Sequence, residues 1–259
     1  MVATLADLFG LEGRVAVVTG ATKGLGRAMA EGYAMAGASV VISSRNQDAC
    51  DQVAAEISAA FGRETFGAAC HMGDWDAVPP FVDTVMDRFG RIDVLVNNAG
   101  IHPGPMSMID LTREYVDKLY QVNLRGPMRL GGVVAPVMAK QGGGSVINIA
   151  TIGAYSGGPN VGTYTSLKAA LINITKVMAR EWAPLGIRVN AICPGPFDSE
   201  MMRGAELAAE GYMDRAGAAT MQNRVAGVDE IIGAALYLGS DASSFVTGED
   251  HVVSGGMLR

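Results

Sequence analysis

Short apolar runs alternate with longer amphipathic ones along the whole chain. Residues 14–19 (RVAVVT), 39–43 (SVVIS), 92–97 (IDVLVN), 145–150 (SVINIA) and 187–192 (IRVNAI) are rich in Val and Ile and read as buried strands. Residues 65–70 form a weaker strand candidate, and 244–253 a last one. Between them, apolar residues recur at helical spacing. The segment 25–36 stops at Gly37, 46–61 opens on Asn46 as a cap and stops at Gly62, and 76–89 stops at Gly90. Residues 112–139, 163–183 and 229–238 complete the helices, with Pro184 and Gly186 punctuating the end of the second of these. This β-α-β-α order predicts one α/β domain over 1–259, a parallel sheet with right-handed crossovers and helices on both faces. Residues 194–226, rich in Met, Glu and Arg, read as an insertion over the carboxyl edge of the sheet, where open α/β sheets bind ligands.

Composition narrows the partners. Hydrophobic residues make up 49% of the 259 and charged ones 18%, so the chain can bury one large core and is not disordered. A net charge of −6 argues against a nucleic-acid partner, which calls for a basic surface. The 34 glycines are about twice the ~7% of average usage and show no Gly-X-Y period, which places them in turns and close backbone approaches. Cys50, Cys70 and Cys193 lack C-x-x-C spacing and read as thiols in a reducing cytoplasm. The opening MVATLADLFGLEGR has no basic-then-apolar leader, and the longest uncharged stretch, 141–167, is too polar to span a membrane. The closing GMLR matches no lipidation or peroxisomal signal. The expectation is a soluble cytoplasmic protein without a membrane or nucleic-acid partner.

Three clusters carry candidate chemistry. After the first strand comes Thr19-Gly20-Ala21-Thr22-Lys23-Gly24-Leu25-Gly26, whose glycines let the backbone turn sharply and approach a pyrophosphate at the next helix N-terminus. The spacing is G-x-x-x-G-x-G, and taken alone it fits a tight turn as well. Asn97-Asn98-Ala99-Gly100 ends the fourth strand. Tyr164-Thr165-Ser166-Leu167-Lys168 lies on a predicted helix, where positions i and i+4 share a face. A phenol with a pKa of about 10 is a poor base at neutral pH, and an adjacent ammonium lowers that value. Taken alone, this pair also fits an ordinary helix surface.

Together, TGATKGLG, NNAG and YTSLK resemble the short-chain dehydrogenase/reductase family over essentially the whole chain, with Asn123 in VNLRG and Pro194-Gly195 in agreement. The resemblance implies a doubly wound, three-layer parallel sheet (Rossmann fold) of about seven strands. It also implies hydride transfer between a nicotinamide dinucleotide and a secondary alcohol or carbonyl compound. Tyr164 would be the general acid or base, and Lys168 would hold the ribose hydroxyls and keep the Tyr164 pKa low. Asn123 would position a water in the proton relay. The cofactor would lie against Gly20, Thr22, Lys23, Gly24, Leu25 and Gly26. Asn97, Ala99 and Gly100 would flank it, with Asn97 bracing the central strand. Pro194, Gly195, Phe197 and Ser199 would approach the nicotinamide carboxamide. Thirteen positions before Tyr164, where the family has its catalytic Ser, stands Thr151, which keeps a hydroxyl on a stiffer side chain. Ser156 and Ser166 are the alternative hydroxyls.

The second strand ends in Ser43-Ser44-Arg45, without the carboxylate that bonds a ribose 2′-hydroxyl in NAD users. Arg45, with Lys23, suits a 2′-phosphate, so NADP(H) is expected and NAD(H) is the alternative. His71 could bond or stack on the adenine or be structural. His71, His102 and His251 have no ligand spacing, so no metal is expected. No G-x-S-x-G elbow supports hydrolase chemistry, and the sequon at Asn173 lies in a helix. Met201, Met202, Met213 and Met221 fit either packing or a substrate-facing lid. The lid mixes Glu200, Arg203, Glu206, Glu210, Asp214 and Arg215, so no anionic substrate is demanded. The Ser-Ser-Arg-Asn and Cys-His-Met-Gly stretches look most like carbonyl reductases; sugar-acid and 3-oxoacyl reductases share the overall pattern. The different-class alternative is a non-catalytic dinucleotide-binding regulator. The resemblance also implies a homotetramer built through the long helices and the C-terminal segment.

Overall fold

The computed structural model describes residues 4–257, all but the side chains of Glu206 and Ala208. Helix α1 (Leu5–Phe9) precedes β1 (Val15–Thr19), α2 (Gly24–Met35), β2 (Ser39–Ser43), α3 (Gln47–Phe61), β3 (Thr65–Gly67), α4 (Val78–Phe89) and β4 (Val94–Asn97). Then come α5 (Arg113–Tyr120), α6 (Gly126–Lys140), β5 (Gly144–Ile149), α7 (Gly153–Ser156), α8 (Gly162–Trp182) and β6 (Ile187–Pro194). Helices α9 (Glu200–Ala208), α10 (Tyr212–Ala218) and α11 (Ile232–Gly239) lead to β7 (Asp250–Val253). The strands form one sheet in the order β3-β2-β1-β4-β5-β6-β7, with every pairing parallel. Chain direction across the sheet reverses between β1 and β4. Their carboxyl ends therefore open a crevice at a topological switch point.

The apolar runs are continuous because the central strands are covered on both faces. In β1, Ala16 and Val18 join a core with Met29, Tyr33 and Leu238. Val15 and Val17 face the opposite core, with Phe81, Leu130 and Met178. Among the described residues, no helix is long and apolar enough to cross a membrane. Leu258 and Arg259, at the end of the C-terminal segment expected at a subunit interface, lie outside the described residues.

Four elements differ from expectation. The helix expected at 112–139 is divided by a π-helical turn at Gln121–Arg125, where the Gly126 N–H reaches the Gln121 carbonyl. The last strand covers only Asp250–Val253. Ahead of it, side chains take the place of ladder bonds: Asn190 Nδ2 donates to the Val246 carbonyl at 2.9 Å, and Thr247 Oγ1 accepts from the Val189 N–H at 3.0 Å. The weak strand at 65–70 ends at Gly67, and the helix expected at 229–238 starts as a 3-10 turn, Val228–Ile231. Residues 194–226 carry α9 and α10 and close on themselves at the neck. The Asp198 N–H donates to the Ala226 carbonyl at 2.8 Å, and the Ala226 N–H to the Pro196 carbonyl at 3.0 Å.

Candidate active site

Between β1 and α2 the chain turns through Gly20 at φ 63° and Gly24 at φ 55°, a region L side chains rarely adopt. A Cβ on Gly26 would sit 2.3 Å from the Gly20 carbonyl oxygen and 2.4 Å from Asn98 Nδ2, so helix and loop touch backbone to backbone. The loop is tied to the NNAG segment by two residues outside the expected site set. Asn98 Nδ2 donates to the carbonyls of Thr19 (2.8 Å) and Gly20 (3.1 Å). Thr19 Oγ1 accepts from the Asn98 and Ala99 N–H groups, both at 3.0 Å, and donates to the Val96 carbonyl. Both residues lie inside motifs legible in the sequence; which amide bonds outward required the fold. Asn97 braces β4 to β5 instead. It is 2% exposed, and its Nδ2 donates to Asn148 Oδ1 at 2.8 Å, while Asn148 Nδ2 continues to Thr175 Oγ1.

This cradle fits a dinucleotide. Lys23, at the N-cap of α2, has no acceptor with which to cap the helix, so no side chain at that position takes up the first N–H groups, which suit an anion. Above Gly24 only Ser199 Cβ comes near, at 3.7 Å from a virtual Cβ. At the end of β2, Ser43 Oγ is buried with no hydrogen-bond partner, Ser44 is half-buried and Arg45 is exposed. Gly26→Ala is expected to weaken NADPH binding at least tenfold and to destabilise the fold by about 1–3 kcal/mol, the scale of a forced backbone shift. Nicotinamide fluorescence titration and a thermal melt read the two effects.

Two expected cofactor residues are placed otherwise. Lys23 pairs with Glu200 at the start of α9, so the loop cation reaches across to the lid segment rather than toward Arg45. The Phe197 ring, 4% exposed, is part of the hydrophobic core. Thr22, Leu25 and Ala99 are half-buried around the loop. Pro194 accepts from the Ile152 N–H at 2.9 Å, and the Gly195 N–H donates to the Val253 carbonyl at 2.9 Å. Ser199 Oγ accepts from the Met202 N–H at the start of α9. His71 is exposed and its Nδ1 accepts from the Gly73 N–H, a local turn contact.

On α8, Tyr164 and Lys168 occupy successive turns. Lys168 is 3% exposed, donates from Nζ to the Ile149 carbonyl at 2.7 Å and lies 5.9 Å from the Tyr164 ring centroid. A Cβ on Gly100 would meet Asn123 Oδ1 at 3.1 Å and Lys168 Nζ at 3.6 Å, so the NNAG turn passes close against both side chains. The expectation that Lys168 holds the Tyr164 pKa low is corrected. Burial pushes the phenol up to about 12 and the ammonium down to about 8. Loss of solvent outweighs the charge of a neighbour that is itself desolvated.

Asn123 lies in the π-helical turn. Its amide is engaged on both ends by Ile101, with Oδ1 accepting from the Ile101 N–H at 3.0 Å and Nδ2 donating to the Ile101 carbonyl at 2.9 Å. The side chain therefore holds the NNAG turn. Pro127, four residues on, has no N–H, so the Asn123 carbonyl cannot take its ordinary helical bond. That signal was legible in the sequence.

Thr151 follows β5, half-buried, and its Oγ1 accepts from the Gly153 N–H at 3.3 Å, leaving the hydroxyl proton to donate. The alternative hydroxyls are exposed and turned to local backbone: Ser156 donates to the Gly157 carbonyl and Ser166 to the Thr163 carbonyl. The histidine at 102, isolated in the sequence, lies edge-on to Tyr164, with ring centroids 5.0 Å apart at an interplanar angle of 79°.

The profile of the family described as enoyl-(acyl carrier protein) reductase matches residues 20–258. Dehydrogenase/reductase SDR family member 4 of Caenorhabditis elegans is 36% identical over 250 residues, covering 95% of each chain. The crystal structure of a gluconate 5-dehydrogenase from Burkholderia cenocepacia J2315, in complex with NADP and tartrate, is similar at a TM-score of 0.93 and 34% identity, over 98% of each chain. L-sorbose reductase from Gluconobacter frateurii, complexed with NADPH and L-sorbose, is similar at a TM-score of 0.92 and 30% identity, over 97% of this chain and 98% of that one.

Proposed function

The chain belongs to the short-chain dehydrogenase/reductase family, and from that premise we propose an NADP(H)-preferring carbonyl reductase in which Tyr164 is the proton donor. It is an oxidoreductase that interconverts a secondary alcohol and a ketone or aldehyde. The dinucleotide, when bound, supplies or accepts the hydride. The loop from Gly20 to Gly26 and the α2 N-terminus would hold its pyrophosphate, and Ser44 and Arg45 the ribose 2′-phosphate. The observation that carries the proton assignment is the half-buried Tyr164, one helical turn before the buried Lys168, in a crevice at the carboxyl ends of the central strands.

The protein's own groups have separable tasks. Tyr164 gives its proton to the carbonyl oxygen as the alkoxide forms, and takes one in the reverse direction. Lys168, while protonated, places a positive charge one helical turn from the phenol and offers N–H donors to ribose hydroxyls. Thr151 donates to the same substrate oxygen. Asn123 holds Ile101, and through it the turn that ends in His102. Residues 194–226 would cover the crevice, with the Lys23–Glu200 pair joining the cover to the glycine loop. The proposal extends to a homotetramer, whose interfaces would cover exposed apolar side chains such as Tyr120 on α5, Met128 on α6 and Phe245 before β7.

Cofactor choice is testable at Arg45. A guanidinium meets a phosphate through parallel charge-assisted bonds that a ribose hydroxyl cannot match. Arg45→Ala is expected to raise the NADPH dissociation constant at least tenfold and that of NADH less than twofold, by fluorescence titration. Equal binding of the two dinucleotides by the wild type sinks the preference. A panel of ketones, alcohols and one enoyl thioester, followed by nicotinamide absorbance, tests the reaction itself; reduction of the enoyl thioester alone would replace the carbonyl reading.

A further inference from the structure

The turn after β4 brings a second polar side chain to the Tyr164 face. His102 Nε2 is buried without a hydrogen-bond partner, and neither ring nitrogen bonds another group among the described residues. Its neighbour Ile101 is clamped through N–H and carbonyl by Asn123. The imidazole is thus held beside the phenol by the same amide that orders the turn. Buried polar atoms in folded proteins nearly always have partners, so an orphan beside the proton donor points to a group that arrives with the substrate.

Distance constrains where that group sits on the substrate. A carbonyl oxygen bonded to the Tyr164 hydroxyl lies ~2.7 Å from it. A substituent on the next carbon then falls within reach of a ring centred 5.0 Å from that of Tyr164. Charge constrains what it is. Burial lowers the His102 pKa below its usual value, so the ring is neutral at pH 7, with one donor and one acceptor. Lys23, Arg203 and Arg224 are paired with Glu200, Asp198 and Glu230, and Lys168 donates to the Ile149 carbonyl. A neutral imidazole offers a carboxylate one donor and no charge, and a carboxylate leaves the ring's acceptor unpaired. A hydroxyl both donates and accepts, and satisfies either tautomer.

We infer that His102 is a substrate-binding residue that hydrogen-bonds a hydroxyl on the carbon next to the reacting carbonyl, and that the protein prefers uncharged α-hydroxy ketones. The inference rests on the alcohol–ketone reading above. The test compares acetoin with 3-methyl-2-butanone, in which a methyl replaces the hydroxyl, by kcat/KM with saturating NADPH. The wild type should prefer acetoin at least tenfold, because the ketone without a hydroxyl leaves the imidazole unpaired. In His102→Phe the two ketones should come within twofold of each other, whatever the absolute rates. His102→Asn, smaller and still polar, should keep a preference above threefold, and thermal melts verify that both variants fold. A wild-type ratio below twofold, an undiminished ratio in His102→Phe, or pyruvate reduced faster than acetoin overturns the inference. If the wild type reduces other ketones of the panel without a hydroxyl preference, this inference falls and the proposed function stands. If it turns over nothing with either dinucleotide, both fall.

Discussion

Tyr164→Phe is expected to lower kcat for ketone reduction by ~10²–10⁴, the usual contribution of a positioned general acid, with the NADPH dissociation constant changed less than twofold. The substitution removes one oxygen and keeps the ring, so the edge-on contact with His102 and the packing near Lys168 persist. Because burial holds the phenol at about 12, it stays protonated from pH 6 to pH 9, and reduction should lose no rate to its titration in that range. Lys168 behaves differently. Its ammonium, pushed down to about 8, is charged below that pH and loses its charge above it. Any decline in reduction rate through pH 8 in the wild type should therefore be absent from Lys168→Arg, whose guanidinium stays charged. Steady-state kcat over this pH range, with saturating NADPH, reads all of these outcomes. More than a tenth of wild-type kcat in Tyr164→Phe refutes the assignment of the proton donor.

Thr151→Val should lower kcat by ~10²–10³, the cost of deleting one positioned donor to a developing oxyanion, whereas Thr151→Ser should stay within about threefold of wild type. Valine reproduces the shape of threonine, so a loss in Thr151→Val reports the hydrogen bond rather than the wall of the pocket. The hydroxyl also accepts from the Gly153 N–H at 3.3 Å, a bond that serine can keep and valine cannot. Thr151→Val should therefore also be less stable by about 1 kcal/mol, the scale of one lost hydrogen bond, seen as a small drop in Tm that Thr151→Ser does not share. A kcat in Thr151→Val equal to wild type would leave Thr151 as a wall only.

Local rules carried the strands and most helix ends. A β-branched run between glycines suits a strand covered on both faces, and Val15 to Thr19 is buried throughout. Asn46 caps α3 through the Ala49 N–H, and Gly62 and Gly90 end α3 and α4 in the left-handed conformation. The motifs fall on the elements expected of them because each depends on its own few residues: a turn that needs positive φ at Gly20, a helix face that repeats after four. Where the rule was local but subtle, as with Pro127 and the carbonyl of Asn123, the signal was present in the chain itself.

Tertiary structure decided whatever depends on two distant segments meeting, or on the removal of water. Lys23 and Glu200 stand 177 positions apart, and only the return of the lid over the glycine loop makes them an ion pair. The i, i+4 spacing put Lys168 beside Tyr164, but their pKa values follow burial, which no spacing encodes. His102 was an isolated imidazole until the β4 turn, clamped by Asn123, set it against the Tyr164 ring. Sequence thus specifies conformations that one segment can settle by its own sterics and hydrogen bonds. Charge state, desolvation and partnership belong to the packed chain, because each is a property of the neighbours that folding supplies.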